Sequence, residues 1–268
     1  MFAEQYVRGV VRKYSHGEDV RVKVLAAVKG IYPYIRFWGD KILKKEGEKS
    51  NVVSGPNVLS IIPTGSFVKG TSIRGTTDID LLISLNRKTN GNLREVYKSL
   101  SSFMKISGFP VREQNVSIRI QWNSLSVDLV PAKKQLGAIN DHSIYVSKAD
   151  SWTKTNVHKH VQYVKGSKRC IEIRATKIWR ELNGIEFPSF YLEMSVIRAL
   201  NKCRVGHVAT NFLRVIQYLS SEFDSAQILD PANSNNIVSD ELTGEEKKTV
   251  VATAQKSLMK SSWGEIIW

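Results

Sequence analysis

Residues 62–85 read IPTGSFVKGTSIRGTTDIDLLISL, and this stretch decides the fold. A Gly-Ser pair follows a short apolar segment, two aspartates separated by one residue come next, and an apolar run ends the stretch. In a β-strand, Asp78 and Asp80 point to the same side, about 6 to 7 Å apart along the backbone. The run IDLLISL is apolar enough to be covered on both faces. The stretch therefore predicts a buried strand that begins with two carboxylates on one face.

Further along the chain, a strict alternation of apolar and polar residues predicts a β-hairpin. The alternation runs through VSIRIQW (residues 116–122) and continues in LSVDLVP (residues 125–131) after an Asn-Ser turn. A two-residue turn would place Arg119 directly across from Asp128, although a register shifted by one residue fits the pattern equally well. Asp128 points away from the apolar face and is a candidate third carboxylate.

The spacing of these carboxylates predicts a site for Mg²⁺ or Mn²⁺. Two carboxylates this close repel each other unless a positive charge lies between them, and Mg²⁺ prefers hard oxygen ligands. Three carboxylates, here Asp78, Asp80 and Asp128, hold two metal ions ~3.5–4 Å apart in enzymes that displace a phosphoryl group in line. The alternative for a lone D-x-D is an Asx-type turn in which Asp78 caps the strand.

The Gly65-Ser66 pair before these aspartates predicts phosphate binding. Small residues just after a strand let backbone N–H groups approach phosphate oxygens, and Lys69 and Arg74 add positive charge nearby. The alternative is that Gly65 is an ordinary turn glycine. The combination of a strand, Gly-Ser, D-x-D and a distant strand aspartate is far more specific than its parts.

The net charge of +14 is unevenly distributed along the chain. Residues 1–160 contain 25 basic and 13 acidic residues, residues 161–220 contain 10 and 4, and residues 221–268 contain 4 and 8. This surplus indicates a polyanionic ligand, either nucleoside triphosphates or nucleic acid. The alternative is a solvated basic surface that increases solubility.

The spacing of apolar residues predicts an α+β fold with two lobes. Before the hairpin, the predicted elements are a helix over 20–32 that Pro33 kinks or ends, a loop over 44–57, strands over 58–63 and 79–85, and a helix over 92–107. From about Asp150 the period becomes helical. We expect a mixed-sheet catalytic lobe (residues 1–160, with an N-terminal helix bridging the lobes) packed on a helical lobe (residues 161–268). The expected active site lies in the cleft between them.

The chain shows no signal for membranes or secretion. No apolar run reaches the ~18 to 20 residues that a membrane span needs, and the N-terminus lacks the apolar core of a secretory signal. The two cysteines, Cys170 and Cys203, do not make a disulfide framework. We therefore expect a cytoplasmic protein without a membrane partner, and its oligomeric state cannot be read from the sequence.

These motifs resemble the nucleotidyltransferases of the polymerase-β-like superfamily. GSFVKGTSIRGTTDIDLLISL followed by SVDLVPA is most similar to the branch that contains archaeal-type CCA-adding enzymes, oligoadenylate synthase, cyclic GMP–AMP synthase and their bacterial second-messenger relatives. TNVHKHV is similar to a Thr-Pro-x-His stretch of that branch, matched at Thr155 and His158, with Asn156 in place of the proline. The resemblance covers residues 20–268.

Three later segments extend the resemblance. RATKIWREL is similar to the helix whose lysine contacts the triphosphate, matched at Lys177. SFYLEMSVIRAL resembles a helix start that cradles phosphate and stacks the base, matched at Ser189, with Phe190 or Tyr191 as the aromatic residue. DPANSNNI (residues 230–237) resembles an Asp-Pro-Ala…Asn-Asn segment of oligoadenylate synthase-like and bacterial messenger synthases.

The resemblance implies nucleotidyl transfer with Mg²⁺ and nucleoside triphosphates. An acceptor hydroxyl next to Asp128 attacks the α-phosphate, Asp128 takes its proton, and pyrophosphate leaves. The residues expected to hold the β- and γ-phosphates are Gly65, Ser66, Lys69, Lys177 and Ser189.

Several of these side chains have ordinary structural alternatives. Lys177 lies on the polar face of an amphipathic helix, where a surface pair with Glu181 is the alternative to phosphate binding. His158 is either a phosphate or hydroxyl partner or a structural histidine. His158, His160, Cys170 and Cys203 fit no standard zinc spacing. The sequence favours core positions for Trp152, Trp179 and Trp263 over stacking positions.

Three functions remain open from the sequence. The first is a synthase of cyclic or linear oligonucleotide second messengers in bacterial antiphage defence, which the segment from Asp230 to Asn236 favours. The second is a nucleotidyltransferase that adds nucleotides to RNA, such as a tRNA 3′ end or a toxin-like tailing enzyme, which the +14 charge favours. The third is a catalytically silent nucleic-acid-binding module, which the intact D-x-D and Asp128 argue against.

Overall fold

A computed structural model describes residues 2–16, 19–42, 57–75, 78–137 and 139–268 of the chain. It has the predicted α+β fold, with a mixed sheet and a helical C-terminal portion. The chain forms two compact units. The sheet unit comprises Gly17–Val68 and Thr77–Lys159, and the helical unit comprises Met1–His16, Lys69–Thr76 and His160–Trp268. Each unit draws on separate chain segments, so the linear domain boundary at residue 160 stays a prediction.

The helices and strands follow one another along the described residues as follows. They are α1 (Phe2–Lys13), α2 (Asp19–Phe37), a π-helix (Trp38–Ile42), β1 (Val58–Thr64), α3 (Gly65–Lys69), β2 (Asp78–Leu85), α4 (Leu93–Ile106), β3 (Val111–Glu113), β4 (Ile118–Trp122), β5 (Leu125–Lys134), β6 (His142–Val146), β7 (Ser151–Thr155), α5 (Val157–Gly166), α6 (Cys170–Leu182), α7 (Ser189–Ala199), α8 (Val208–Ser221), β8 (Leu229–Asp230), β9 (Asn233–Ile237), α9 (Gly244–Leu258) and α10 (Trp263–Ile266).

The sheet unit is built around β2 and β5, which pair in parallel. The strand order is β1-β2-β5-β4-β3, and β6 pairs with both the end of β5 and β7. The other strand pairs in this sheet are antiparallel. The register of the parallel pair sets Asp80 opposite Asp128. Two carboxylates that lie 48 residues apart in the sequence are thereby neighbours on adjacent strands.

The predicted hairpin is confirmed, and its turn explains its register. Asn123 and Ser124 both have positive φ, 45° and 68°. Positive φ at both central residues is the requirement of a type I′ turn, whose twist matches that of antiparallel strands. The pairing of Arg119 with Asp128 follows directly from this two-residue turn.

The buried strand is also confirmed. From Leu81 to Leu85 each residue of β2 is buried, and Leu81, Ile83 and Leu85 are fully buried. These side chains pack with residues of α2, α4 and the hairpin in one apolar core. The core holds β2 rigidly, so the two aspartates at its start are carried by a well-anchored strand.

Three of the predicted boundaries differ from the structure. The helix α2 continues through Pro33 to Phe37, so of the two predicted effects of Pro33, a kink or an end, the end is wrong. The strand β1 passes through Pro63 to Thr64, which is possible because β1 lies at the edge of the sheet, where a missing N–H breaks no ladder. The predicted loop over 44–57 lies almost wholly outside the described residues.

The third error concerns the region after Asp150. Residues Ser151–Thr155 form the edge strand β7, which pairs with β6, where a helical period was expected. Trp152 of this strand is 60 % exposed, so the expectation that it is a core residue was wrong. Alternation could not reveal β7 because it lies at the edge and buries few side chains.

The helical unit matches the predicted helices more closely. The apolar residues of α6, α7, α8 and α9 form one core, in which Trp179 is fully buried and Trp263 packs at its margin. Thr243 and Glu246 form the predicted capping box of α9. The short β8–β9 hairpin was not predicted. No helix in the described part of the chain combines the length and hydrophobicity needed to cross a bilayer.

Candidate active site

The three predicted carboxylates come together at one end of the β2–β5 pair. Asp78 and Asp80 occupy the first and third positions of β2, and Asp128 is the fourth residue of β5. Asp128 is buried, whereas Asp78 and Asp80 are partly exposed. The parallel register that sets Asp80 against Asp128 makes this end of the sheet strongly acidic.

Arg119 of β4 binds two of these carboxylates. Its Nε donates to Asp128 Oδ1 at 2.8 Å and its Nη2 donates to Asp128 Oδ2 at 2.8 Å, which is a bidentate pair. The same Nη2 donates to Asp78 Oδ2 at 2.5 Å. Gln114 also donates to Asp128 Oδ1, at 3.3 Å. Sequence analysis predicted the pairing with Asp128 but not the contact with Asp78, which requires β2 beside β5.

Burial and the neighbouring charges both shift the pKa values of this group. Burial raises the pKa of Asp78, and the negative charge of Asp128 adds to that effect, against the attraction of Arg119. Hydrogen bonding to Asp128 raises the pKa of Arg119 further above its ordinary value. Arg119 is therefore a permanent cation between two carboxylates.

Gly65 lies directly against one of the aspartates. It has φ of +70°, and a Cβ at this position would lie 1.6 Å from Asp80 Oδ2. Both the backbone conformation and the space therefore require glycine here. This contact favours phosphate binding over an ordinary turn as the role of Gly65, because the glycine backbone lies directly beside a carboxylate of the candidate site.

The donor set of this site fits Mg²⁺ in its chemistry. Asp78, Asp80 and Asp128 supply the carboxylate oxygens that Mg²⁺ prefers, on neighbouring strands. Among the residues that the structure describes, no group of three or more His, Cys, Asp or Glu is already arranged to hold a metal ion. At this site Arg119 binds Asp78 and Asp128 with its own positive charge.

The helical unit contains a second cluster of predicted residues, centred on Glu193 of α7. Lys69 Nζ donates to Glu193 Oε2 at 2.8 Å, and Lys177 Nζ donates to Glu193 Oε1 at 2.7 Å. Thr71 donates to Glu193 Oε1 at 2.6 Å and accepts from Lys177 at 3.2 Å. Two buried ammonium groups thus share one buried carboxylate, which leaves this cluster with one excess positive charge.

This arrangement corrects the expectation for Lys177. The side chain is 2 % exposed and does not lie on a solvated face, because Glu193 of the neighbouring helix satisfies it. Glu181, the predicted partner, binds Arg180 instead. Burial lowers the pKa of Lys177, and Glu193 opposes that shift. Burial alone would raise the pKa of Glu193, but Lys177 and Lys69 hold it at about 2.

The structure distinguishes the two candidate aromatic residues. Tyr191 is fully buried and stacks on Phe223 at a centroid distance of 5.0 Å, so it belongs to the core. Phe190 is partly exposed, with Lys69 Nζ 4.7 Å from its ring centroid. Ser189, which opens α7, is exposed and accepts a hydrogen bond from Arg180 at 3.1 Å. Phe190 is therefore the ring available for stacking.

The segment around Asp230 has a structural explanation within the helical unit. Asp230 Oδ1 accepts hydrogen bonds from His160 Nε2 and from the backbone N–H of Ala232, each at 2.7 Å. Asn236 Nδ2 donates to Asp230 Oδ2 at 3.1 Å. The ring of His160 lies 4.6 Å from that of Phe190. The Asp-Pro-Ala…Asn-Asn pattern thus closes the β8–β9 hairpin and orients a histidine that sequence analysis did not assign to the site.

The predicted pair Thr155 and His158 lies elsewhere in the sheet unit. Thr155 is buried on β7 opposite His142, which in turn pairs with Lys134 at the far end of β5 from Asp128. His158 is exposed in the first turn of α5. Asn156 Oδ1 accepts from the backbone N–H of Lys159 at 3.0 Å and so caps this helix. That capping role accounts for asparagine at this position.

Comparison with known families identifies the chemistry of the sheet unit. A nucleotidyltransferase domain model matches residues 41–140, which include Gly65, Ser66 and all three aspartates. Residues 41–140, fewer than half of the chain, are therefore similar to nucleotidyltransferase domains. The predicted resemblance is thereby confirmed, and the acidic end of β2 and β5 lies within this domain.

One curated relative and several solved structures extend the comparison. The chain is 25% identical over 188 residues to a cyclic AMP-AMP-AMP synthase of Escherichia coli strain MS 115-1, which covers 63% of this chain and 57% of that protein. The match therefore spans little more than half of the relative's length.

Three solved structures are similar in fold to nearly the whole chain. CdnC of E. coli MS115-1 with ATP has a TM-score of 0.66 at 20% identity, covering 88% of this chain and 85% of its own. The Bradyrhizobium diazoefficiens CD-NTase CdnG with GTP has a TM-score of 0.73 at 11% identity, and the match covers 95% of this chain and 88% of CdnG. The Elizabethkingia meningoseptica cyclic dinucleotide synthase CdnE with GTP and Apcpp has a TM-score of 0.65 at 16% identity, and the match covers 96% of this chain and 99% of CdnE.

Proposed function

We propose that this protein is a Mg²⁺-dependent nucleotidyltransferase that joins nucleoside triphosphates into cyclic or linear oligonucleotide second messengers. The nucleotidyltransferase domain and the likeness to a cyclic AMP-AMP-AMP synthase support the reaction class. CD-NTase structures bound to ATP and GTP support nucleoside triphosphates as substrates. To this proposal we add, from the sequence, a cytoplasmic setting and a role in bacterial antiphage defence.

The observation that carries the proposal is the pairing of Asp80 with Asp128 beside Gly65. The register aligns two carboxylates across a parallel strand pair, and Asp78 extends the same face of β2. The close approach of Gly65 to Asp80 leaves no room for a side chain between the backbone and this carboxylate. Such a site suits a phosphate that contacts backbone N–H groups while a cation held by the carboxylates neutralises its oxygens.

Asp78, Asp80 and Asp128 are the residues that would hold Mg²⁺. When bound, the cation stabilises the negative charge that develops on the phosphate during displacement. Asp78 becomes available when Arg119 gives up its single contact with this carboxylate and keeps its bidentate contact with Asp128. Arg119 thus orients Asp128, the residue that we assign as proton acceptor for the attacking hydroxyl.

In the helical unit we assign nucleotide binding to Phe190, Lys69 and Ser189. The Phe190 ring offers a face for a base, and the Lys69 ammonium beside it offers a charge for a phosphate. Lys177 acts one step further away, because it is the more deeply buried of the two lysines that bind Glu193. It neutralises Glu193 and so lets Lys69 keep part of its charge for a ligand.

Product analysis with aspartate variants tests this proposal. The protein is incubated with labelled ATP, GTP, CTP and UTP and Mg²⁺, and small products are resolved after phosphatase treatment. Asp80→Asn should abolish phosphatase-resistant products while the thermal melting temperature is retained. The matched control is Asp40→Asn, which removes only a surface pair with Arg36 and should keep full turnover. Retained turnover in both Asp78→Asn and Asp80→Asn would overturn the two-metal site.

The alternative acceptor is RNA, as in enzymes that add nucleotides to a tRNA 3′ end. The net charge of +14 favours this acceptor. The same incubation with total RNA separates the two functions, because label would then appear on RNA and small cyclic products would be absent. Label on neither product, in the presence of active control enzyme, would argue for a silent binding module.

A further inference from the structure

The sheet unit has a second concave surface, at the end opposite the aspartates. A shallow, open depression with a volume of about 620 Å³ lies there. Its lining residues are Arg87, Lys88, Leu93, Lys133, Lys134, Gln135, Leu136, Ser143 and Trp152. A smaller cavity of about 390 Å³ shares four of these residues, so the two form one continuous groove.

The groove is strongly basic. Four of the nine residues that line the larger cavity are lysine or arginine, and none is acidic. Lys133 Nζ donates to the carbonyls of Thr89 at 2.6 Å and Gly91 at 2.5 Å, which leaves one of its three N–H groups for a ligand. Within the described part of the chain, no carboxylate forms an ion pair with Arg87, Lys88 or Lys134.

An exposed tryptophan lies at the edge of this groove. Trp152 is 60 % exposed on β7, across from Tyr145 of β6. Tryptophan is enriched at binding interfaces, where one part of its ring packs on an apolar group and the rest stays in water. Because every base has a π-face, such a ring beside cations suits stacking of a nucleobase next to a phosphate.

The groove is separate from the aspartate site. Lys134 lies six residues beyond Asp128 on β5, which places it about 20 Å away along the strand. Arg87 likewise follows the end of β2, whereas Asp78 and Asp80 begin that strand. A ligand in the groove therefore does not compete with a nucleotide at the aspartates.

We propose that this groove binds single-stranded nucleic acid, with Trp152 stacking on a base and Arg87, Lys88, Lys133 and Lys134 contacting consecutive phosphates. The repeated negative charge of the strand matches the four cations, and the bases match the exposed ring. An acidic peptide would satisfy the cations but has no group that requires Trp152. The inference concerns binding alone and stands independently of the reaction at the aspartates.

Fluorescence anisotropy with a labelled RNA of about eight nucleotides tests the proposal without added nucleotides. Trp152→Ala should weaken binding about tenfold, and Arg87→Glu with Lys134→Glu should weaken it at least tenfold. The second variant should also flatten the slope of log affinity against log salt by about 1.4, since each phosphate contact contributes ~0.7. The matched control is Lys256→Glu with Lys260→Glu, which changes the net charge equally on the exposed surface of the helical unit.

Three results would overturn the proposal. The first is unchanged affinity in the groove variants, which would place the RNA elsewhere on the basic surface. The second is equal weakening by the control pair, which would show a net-charge effect only. The third is tight binding of poly-glutamate or heparin that competes with RNA while Trp152→Ala costs nothing, which would make the groove a general polyanion or acidic-protein site. Circular dichroism of every variant verifies that the fold is kept.

Discussion

Gly65 and Asp80 approach each other so closely that position 65 has room only for glycine. A Cβ on Gly65 would lie 1.6 Å from Asp80 Oδ2 and 2.4 Å from its Cγ. The positive φ of Gly65, +70°, adds a second requirement for glycine. The sequence motif Gly-Ser…Asp-x-Asp is therefore one spatial unit, in which the glycine provides the space that the second aspartate occupies.

Substituting Gly65 should disrupt this unit. Gly65→Ala should reduce nucleotidyl transfer by at least about 100-fold, because Asp80 must move away, and should lower the free energy of unfolding by at least ~1–2 kcal/mol. Gly70→Ala is the matched control, since Gly70 also has positive φ, +77°, but no neighbour within 4 Å of an added Cβ. Gly70→Ala should lose stability only through its strained backbone conformation, and it should keep full activity. Equal initial rates in the two variants would contradict the assigned role of Gly65.

Arg119 should stabilise the protein most when no metal ion is present. Arg119→Met leaves Asp78 and Asp128 without their cation and should cost roughly 3 kcal/mol in urea unfolding with EDTA. Mg²⁺ should restore more stability to this variant than to the wild type, because the cation replaces the lost charge. The control is Arg112→Met on β3, which lies directly across from Arg119 and is exposed. Equal stability of both variants in EDTA would refute the prediction.

Glu193 should make stability depend on pH in the acidic range. Its pKa of about 2 lies below the ordinary 4.5, so the unfolded state binds more protons than the folded state between these values. The stabilisation is present above pH 4.5 and is lost as the pH falls toward 2, with a total on the order of 3 kcal/mol.

Urea unfolding across this pH range measures the effect as the difference between wild type and Glu193→Gln. That difference should shrink steadily with decreasing pH. The control, Glu245→Gln, removes an exposed carboxylate whose side chain is 85% accessible, and should change the free energy of unfolding little. A pH-independent difference for Glu193→Gln would show that Lys69 and Lys177 do not depress its pKa.

Substitutions of Phe190 and Tyr191 should have different effects on nucleotide affinity. Phe190→Ala removes the partly exposed ring beside Lys69 and should weaken nucleotide binding about tenfold, measured by calorimetry with a non-hydrolysable triphosphate. Tyr191→Phe should leave this affinity unchanged. It should also keep or slightly raise the melting temperature, because the Tyr191 hydroxyl is buried without a hydrogen-bond partner in the described structure. Weaker nucleotide binding by Tyr191→Phe alone would reverse the assignment.

Lys177 and Trp152 show where patterns along the chain mislead. Helical spacing places Lys177 with the polar residues of α6, yet Glu193 of α7 neutralises it and allows burial. Trp152 is a large aromatic residue, which usually indicates a core position, yet β7 lies at the sheet edge and leaves it exposed. In both cases the position of the helix or strand among its neighbours decided whether the side chain is buried. Local spacing carries no information about that position.

The sequence by itself determined the elements whose periodicity is local. Alternation predicted the hairpin and placed Asp128 off its apolar face, and the apolar run predicted the buried strand behind Asp78 and Asp80. Tertiary structure decided which residues meet across elements. Only the parallel pairing of β2 with β5 brings Asp80 beside Asp128 and lets Arg119 reach Asp78. Side-chain period is a property of one strand or helix, whereas strand order joins residues that are far apart in the chain.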